Sequence, residues 1–298
     1  MTRDETARKV ARERDMMETP KVPPVERMGA LLRNGGVKIV DLSMVVKDDP
    51  SPLMRVKVTN LDHRHGALEH QRALGVDPDD WPWPGYSFGD DYLELTSHAG
   101  THMDAPIHYG PWTIPDKKEP MRIDEWPLEW CIGDGVVLDI RDIPQGHEVT
   151  VDEVRGQLDS IGYSLKAFDI VLVMTGNDKY WGRPEYLDRG GHLGREALKW
   201  ILERGVKVCG TDSWSFDRPG KQWAGDYLKH GRDSRYLWPC HVLGLEMPYA
   251  QIEKMVNLDL LPRFGFTVIA LPIKIYRGSA GFVRAVALVP DGRGGSAG

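Results

Sequence analysis

Three histidines and an aspartate fall within eleven positions of this 298-residue chain, in the stretch Ser97-His98-Ala99-Gly100-Thr101-His102-Met103-Asp104-Ala105-Pro106-Ile107-His108. Imidazole nitrogens and a carboxylate oxygen together form a donor set that suits Zn²⁺, Mn²⁺ or Fe²⁺. His98 and His102, four apart, would share one face of a helix. That reading is poor: Gly100 weakens a helix, Pro106 breaks one, and the preceding Tyr92-Leu93-Glu94-Leu95-Thr96 has the composition of a strand. The stretch reads instead as a strand ending at Ser97, a tight turn at Ala99-Gly100 and an extended return. Alternate side chains of an extended segment share a face. His102 and Asp104 therefore point together, and His108 joins them if the alternation survives Pro106. Capping and turn formation are the competing roles for these residues; so many ligand types so close together favour the metal.

The pattern His98-x-Gly100-Thr101-His102-x-Asp104-x-Pro106-x-His108 resembles the HxGTHxDxPxH signature of the cyclase family of metal-dependent hydrolases, and every signature position is present. That family includes bacterial kynurenine formamidases, isatin hydrolases and trans-dienelactone hydrolases. The resemblance implies that His98, His102 and Asp104 hold a divalent metal, Mn²⁺ or Zn²⁺, as one ion or two. It also implies a second ligand pair, His241 with Glu253, Asp104 bridging where two ions bind. Glu253 lies in Gln251-Ile252-Glu253-Lys254-Met255-Val256-Asn257-Leu258, where Lys-Met-Val separates it from Asn-Leu, a departure from the family's pattern. Taken alone, Glu253 reads as a carboxylate on a helix surface.

The chemistry follows from the ion. A bound divalent metal lowers the pKa of its water toward neutrality and polarises a carbonyl oxygen, and an open coordination position separates catalysis from a structural role. The resemblance makes His108 the catalytic histidine, and its ordinary pKa suits proton transfer near pH 7. A further ligand, or a partner of a ligand, is the alternative for His108. Thr211-Asp212-Ser213-Trp214-Ser215 is similar to a segment that lines the family's active site. Asp212 and Ser215 are thus candidates for orienting water, and equally serve as turn residues.

Several elements must position these groups. A short helix is expected over 25–33, with Pro24 near its first turn and Gly35-Gly36 past its end. Strands are expected at 37–43, 135–140, 169–174, 206–210, 267–275 and 282–289. The run at 169–174 is apolar throughout, as for a strand covered on both faces. Thr150-Val151-Asp152-Glu153 forms a capping box opening a helix that ends near Gly162. A second helix spans 196–202, and Pro248 opens a third over 249–256. Residues 47–90 read as a long irregular lid or pocket wall, 178–193 as a polar, aromatic loop and 218–238 as a loop insertion. Strands alternating with a few helices give an α/β fold, a single domain with a mixed sheet. The resemblance, over roughly 37–290, implies a swivelling β/β/α-type cyclase-like fold. The expected organisation is an N-terminal arm and short helix over 1–36, the hydrolase domain over 37–290, and a flexible tail over 291–298.

Composition narrows the partners. A net charge of −6, with Lys and Arg scattered, gives no electrostatic case for nucleic acid. The first twenty residues are charged throughout, resembling neither a secretory signal nor a membrane span. Cys131, Cys209 and Cys240 lie far apart, as reduced thiols in the cytoplasm do. Six of ten tryptophans (Trp81, Trp83, Trp181, Trp214, Trp223, Trp238) fall in loops flanking the motifs, pointing to a flat, partly apolar small molecule; packing and subunit contacts compete for the same residues. The covering segments favour opening of a cyclic amide or lactone. Hydrolysis of N-formylkynurenine is the alternative, with a metal-dependent cyclase or lyase behind it. The resemblance also implies a homo-oligomer, a dimer or tetramer, with the arm and covering loops as interface material.

Overall fold

The computed structural model describes residues 26–48, 55–144, 146–189 and 192–291; the arm over 1–19 and the prolines at 20, 23 and 24 lie outside them. Two compact units divide the chain. In the smaller, formed from the two ends, helix α1 (Glu26–Arg33) is followed by a turn in which Gly36 N–H donates to Leu31 O. The larger is Ile39–Val289 and holds all that follows except the first two residues of β1 and the last of β13.

Along the chain come β1 (Val37–Asp41), β2 (Val56–Leu61), β3 (Asp90–Leu95) and β4 (His102–Asp104). The middle supplies β5 (Ile132–Asp139), β6 (Glu148–Val149), β7 (Ile170–Met174), β8 (His192–Leu193) and β9 (Val208–Thr211). β10 (Ala250–Glu253), β11 (Phe264–Ile269), β12 (Ala280–Phe282) and β13 (Val286–Pro290) complete the set. Nine of these strands form one sheet in the order β1-β13-β11-β5-β7-β9-β10-β4-β12. β5, β7, β9 and β10 run parallel, while β4 lies antiparallel to both β10 and β12. The sheet is mixed, as the alternation of strands and helices predicts. It also curls. Beyond β1, Leu42 donates to Ala285 O and accepts from Val256 N–H, and Ser43 bridges to Met255, just past β10.

β7 shows why the parallel centre forms. Its Ile170, Leu172 and Met174 enter one core cluster with Val137, Val208 and Ile252; Val171 and Val173 enter the other with Leu138, Leu198 and Leu243. Burial on both faces is what an unbroken apolar run encodes. Part of the second face is covered by helices that follow α2 (His63–Leu74) and α3 (Pro106–Tyr109): α4 (Val151–Ser160) and α5 (Arg195–Leu202). Both reciprocal bonds of the Thr150/Glu153 capping box are present at the start of α4. α6 (Gly220–Lys229) and α7 (Pro239–Leu243) come later.

Three expectations change. Residues 249–256 do not form a helix, because β10 runs through them as a strand hydrogen-bonded on both sides. The stretch 47–90 is not irregular throughout: β2 lies within it and pairs antiparallel with β3, the strand expected before the motif, and α2 stands between them, capped by Asp62 and by Gly75 in a left-handed conformation (φ 72°). Residues 218–238 contain α6. The three cysteines are buried and unpaired. Among the described residues no helix is long and apolar enough to cross a membrane.

Candidate metal centre

β4 is three residues long and carries the centre. His102 and Asp104 project from one face, both fully buried, and Met103 projects from the other into the core. Strand pairing then fixes the neighbours. Glu253 stands opposite His102, and Gln251 opposite Asp104, so β10 delivers a carboxylate and an amide to the same face. The turn before β4 needs Gly100 at φ +56°, a left-handed conformation that favours glycine. Its carbonyl accepts a hydrogen bond from His102 Nδ1 at 2.9 Å, which leaves the Nε2 lone pair facing the site. The alternation does not survive Pro106. Proline opens the single turn of α3 instead, and His108 reaches Asp104 from four residues along, Nε2 to Oδ2 3.9 Å.

The donor atoms converge. His98 Nδ1 lies 2.8 Å from Asp104 Oδ1, and His102 Nε2 lies 3.2 Å from that oxygen and 3.5 Å from Glu253 Oε2. His241, on α7, brings its Nε2 to 3.9 Å from both Asp104 Oδ2 and Glu253 Oε1. Among the described residues, two sets have ligand atoms within 4.8 Å of one another: His98, Asp104 and His108, and His102, Asp104 and Glu253. Asp104 belongs to both. Despite this proximity, His102 Nε2 and both Asp104 oxygens are buried without a hydrogen-bond partner. Leaving such groups unpaired costs roughly 1–3 kcal/mol each. Lone pairs of nitrogen and oxygen aimed at one point are what a divalent cation relieves, so the residues fit the ion that the donor set calls for.

Electrostatics follow from burial. The Asp104 carboxyl, which burial would raise, is held well below the usual range by the His102, His98 and His108 imidazoles. Burial and the Asp104 charge push Glu253 up to about 8. Burial lowers His102, and it lowers His108 to about 4 against the pull of Asp104, so both rings are neutral at pH 7. His241 goes the other way, to about 9, because its bond to Asp217 outweighs the burial that would lower it.

Asp212 and Ser215 are not brought to the donor atoms. The Asp212 carboxylate accepts from Thr175 N–H and Oγ1 and from Gly176 N–H, clamping the end of β7 to the end of β9. Ser215 Oγ accepts from Asp217 N–H. The tryptophans divide as well. Trp238 stacks on His241 (4.6 Å between ring centroids) with Trp223 at its edge, whereas Trp81 packs on His70, Trp181 on Tyr186, and Trp83 is exposed.

Supporting groups that no motif singled out are Ser279, within 3.1 Å of His98 Nε2, and Gln251, whose Nε2 donates to Glu253 Oε1 at 2.7 Å. Tyr249 Oη in turn donates to Gln251 Oε1. Lys254, buried, donates to the His98 carbonyl. The apolar-polar alternation of Ala250-Gln251-Ile252-Glu253 was the signal for the β10 groups; nothing in sequence spacing points to Ser279, 181 residues from His98.

A family profile described as "Putative cyclase" matches residues 40–218. The kynurenine formamidase of Salinibacter ruber is 27% identical over 212 residues, covering 69% of this chain and 85% of its own. The isatin hydrolase of Roseibium aggregatum is 25% identical over 273 residues, covering 88% of this chain and 96% of its own. A crystal structure of an isatin hydrolase bound to the product analogue thioisatinate is similar in fold, with a TM-score of 0.69 at 22% identity over 90% of this chain and 98% of that one.

Proposed function

The chain belongs to the putative cyclase family and is a hydrolase, and we propose that it opens a cyclic amide or lactone by attack of water at a metal centre. One observation carries the reading: the buried, unpaired donor atoms of His102 and Asp104 beside Glu253. Two differences favour ring opening over formamide hydrolysis. The isatin hydrolase matches along 88% of the chain, the formamidase along 69%, and an aromatic pair from 218–238 borders the centre. The formamidase is the slightly closer in identity, which keeps N-formylkynurenine as the second reading.

His98, His102, Asp104, His241 and Glu253 would hold the metal, Mn²⁺ or Zn²⁺. When bound, such an ion acidifies water and polarises a carbonyl oxygen. The remaining work falls to the chain. His108, neutral at pH 7 and partly accessible beside His98, takes a proton from the attacking water at Nε2 and returns it to the leaving nitrogen or oxygen. Trp238 and Tyr109, both in ring contact with His108 and His241, restrict water around them. Asp212 ties the end of β7 to the end of β9, and Ser215 fixes the turn at Asp217.

The test is a panel of isatin, a dienelactone and N-formylkynurenine, each with and without prior chelation. Turnover of a cyclic substrate, abolished by the chelator and restored by Mn²⁺ or Zn²⁺, is expected, with one ¹⁸O from labelled water in the product. Turnover of N-formylkynurenine alone would favour the second reading. Unlabelled product would point to a lyase or cyclase.

A further inference from the structure

Asp217 is buried and spends its carboxylate on one short segment. Its Oδ1 accepts from Cys240 N–H at 2.7 Å; its Oδ2 accepts from His241 N–H at 3.2 Å and from His241 Nδ1 at 2.5 Å. α7 begins at Pro239, and the residue before it, Trp238, supplies no side-chain cap. Asp217, more than twenty residues upstream, therefore satisfies the first N–H groups of that helix and the inner edge of its histidine with the same two oxygens. Ser215 Oγ, accepting from Asp217 N–H, fixes the turn that presents the carboxylate. Trp238 lies against the face of the ring. The imidazole is thus held at an edge and on a face, with only Nε2 left, and Nε2 is the atom directed at Asp104 and Glu253.

We propose that Asp217 is the positioning residue of the centre: by engaging Nδ1 of His241, it leaves Nε2 as the ring's metal-donor atom and keeps it aimed at Asp104 and Glu253. This rests on the reading of His241 as a ligand. A carboxylate on the far nitrogen fixes the tautomer and makes the ring a better donor, and losing such a partner typically costs 10- to 100-fold in metal affinity. Asp217 has no contact with substrate in this role.

Zn²⁺ alone, titrated against the full chain with a competing chelator, tests it. Asp217→Asn is expected to weaken Zn²⁺ binding 10- to 100-fold with the thermal midpoint measured alongside. In a His241→Gln background, the same substitution is expected to change affinity less than threefold, an interaction that a merely structural carboxylate would not show. Equal losses in both backgrounds, or no loss in either, would overturn the proposal. Should Asp217→Asn not fold, ¹⁵N spectra of the zinc-loaded wild type decide: a proton on Nδ1 of His241 supports the assignment and a proton on Nε2 removes it. Wild-type protein that binds no Zn²⁺ would overturn the metal reading itself, whereas tight wild-type binding left unchanged by Asp217→Asn overturns this inference alone.

Discussion

At the scale of single residues, the centre is a contest between desolvation and neighbouring charge. Five groups that each prefer water are gathered within a few ångströms of one another, three of them buried, and direct hydrogen bonds do not settle their mutual cost. His108 and His98 are the more open of the centre's side chains, with 24% and 19% of their surface exposed, and the His108 ring leans on His98 rather than into the strand. It can therefore exchange protons with an incoming molecule. His108→Ala is expected to retain bound metal, measured by elemental analysis, while losing roughly 10²- to 10⁴-fold in turnover. Loss of metal with turnover would make His108 a ligand, the alternative its spacing left open. The signature residues were legible because ligand chemistry permits few substitutes. Asp217, Gln251 and Ser279 were not, since a side chain that orients a ligand across the fold leaves no local spacing to read.

At the scale of elements, two physical effects decide what the sequence disclosed. Where a strand is covered on both faces by apolar contacts, as β7 is, its run of five apolar residues is unmistakable. Leu172→Ala there is expected to cost about 2–5 kcal/mol, read as a lowered denaturant midpoint with an unchanged slope. β10 hid for the opposite reason. One of its faces is apolar and the other is the metal centre, so Gln251 and Glu253 look like surface residues, and Pro248 mimics a helix start. The ribbon of β2 and β3 was half legible: Tyr92-Leu93-Glu94-Leu95 has the composition of a strand, whereas β2 carries Lys57, Thr59 and Asn60 and shows no regular alternation of burial.

The small parallel pair of β6 and β8 carries a titration of its own. His192 is buried beside Arg218, and burial followed by that charge lowers it to about 4. A folded pKa below the ordinary 6.5 means that the unfolded chain takes up the proton first. The stability contributed by the neutral ring is therefore complete above pH 6.5 and is lost as pH falls toward 4, by about 3 kcal/mol. Urea unfolding at pH 7 and pH 4.5 should show a smaller acid loss for His192→Gln than for wild type. An equal loss would mean that His192 titrates normally.

At the scale of the whole molecule, the curl of the sheet gathers the centre from distant parts of the chain. β4, β10, the turn after β3 and α7 span residues 98 to 253, and the pairing of Glu253 with His102 is what joins the two motifs. The α/β class and the mixed sheet followed from the order of apolar runs; the curl did not, because it depends on contacts such as Leu42 with Ala285 and Val256 that no local pattern encodes. The metal is the premise of every chemical step. Crystals soaked in MnCl₂ or ZnCl₂ and measured at the metal's absorption edge test it most directly. An anomalous peak about 2.0–2.3 Å from His102 Nε2 and an Asp104 oxygen is expected, and a map with those atoms splayed apart and no peak between them, after both soaks, would contradict the account.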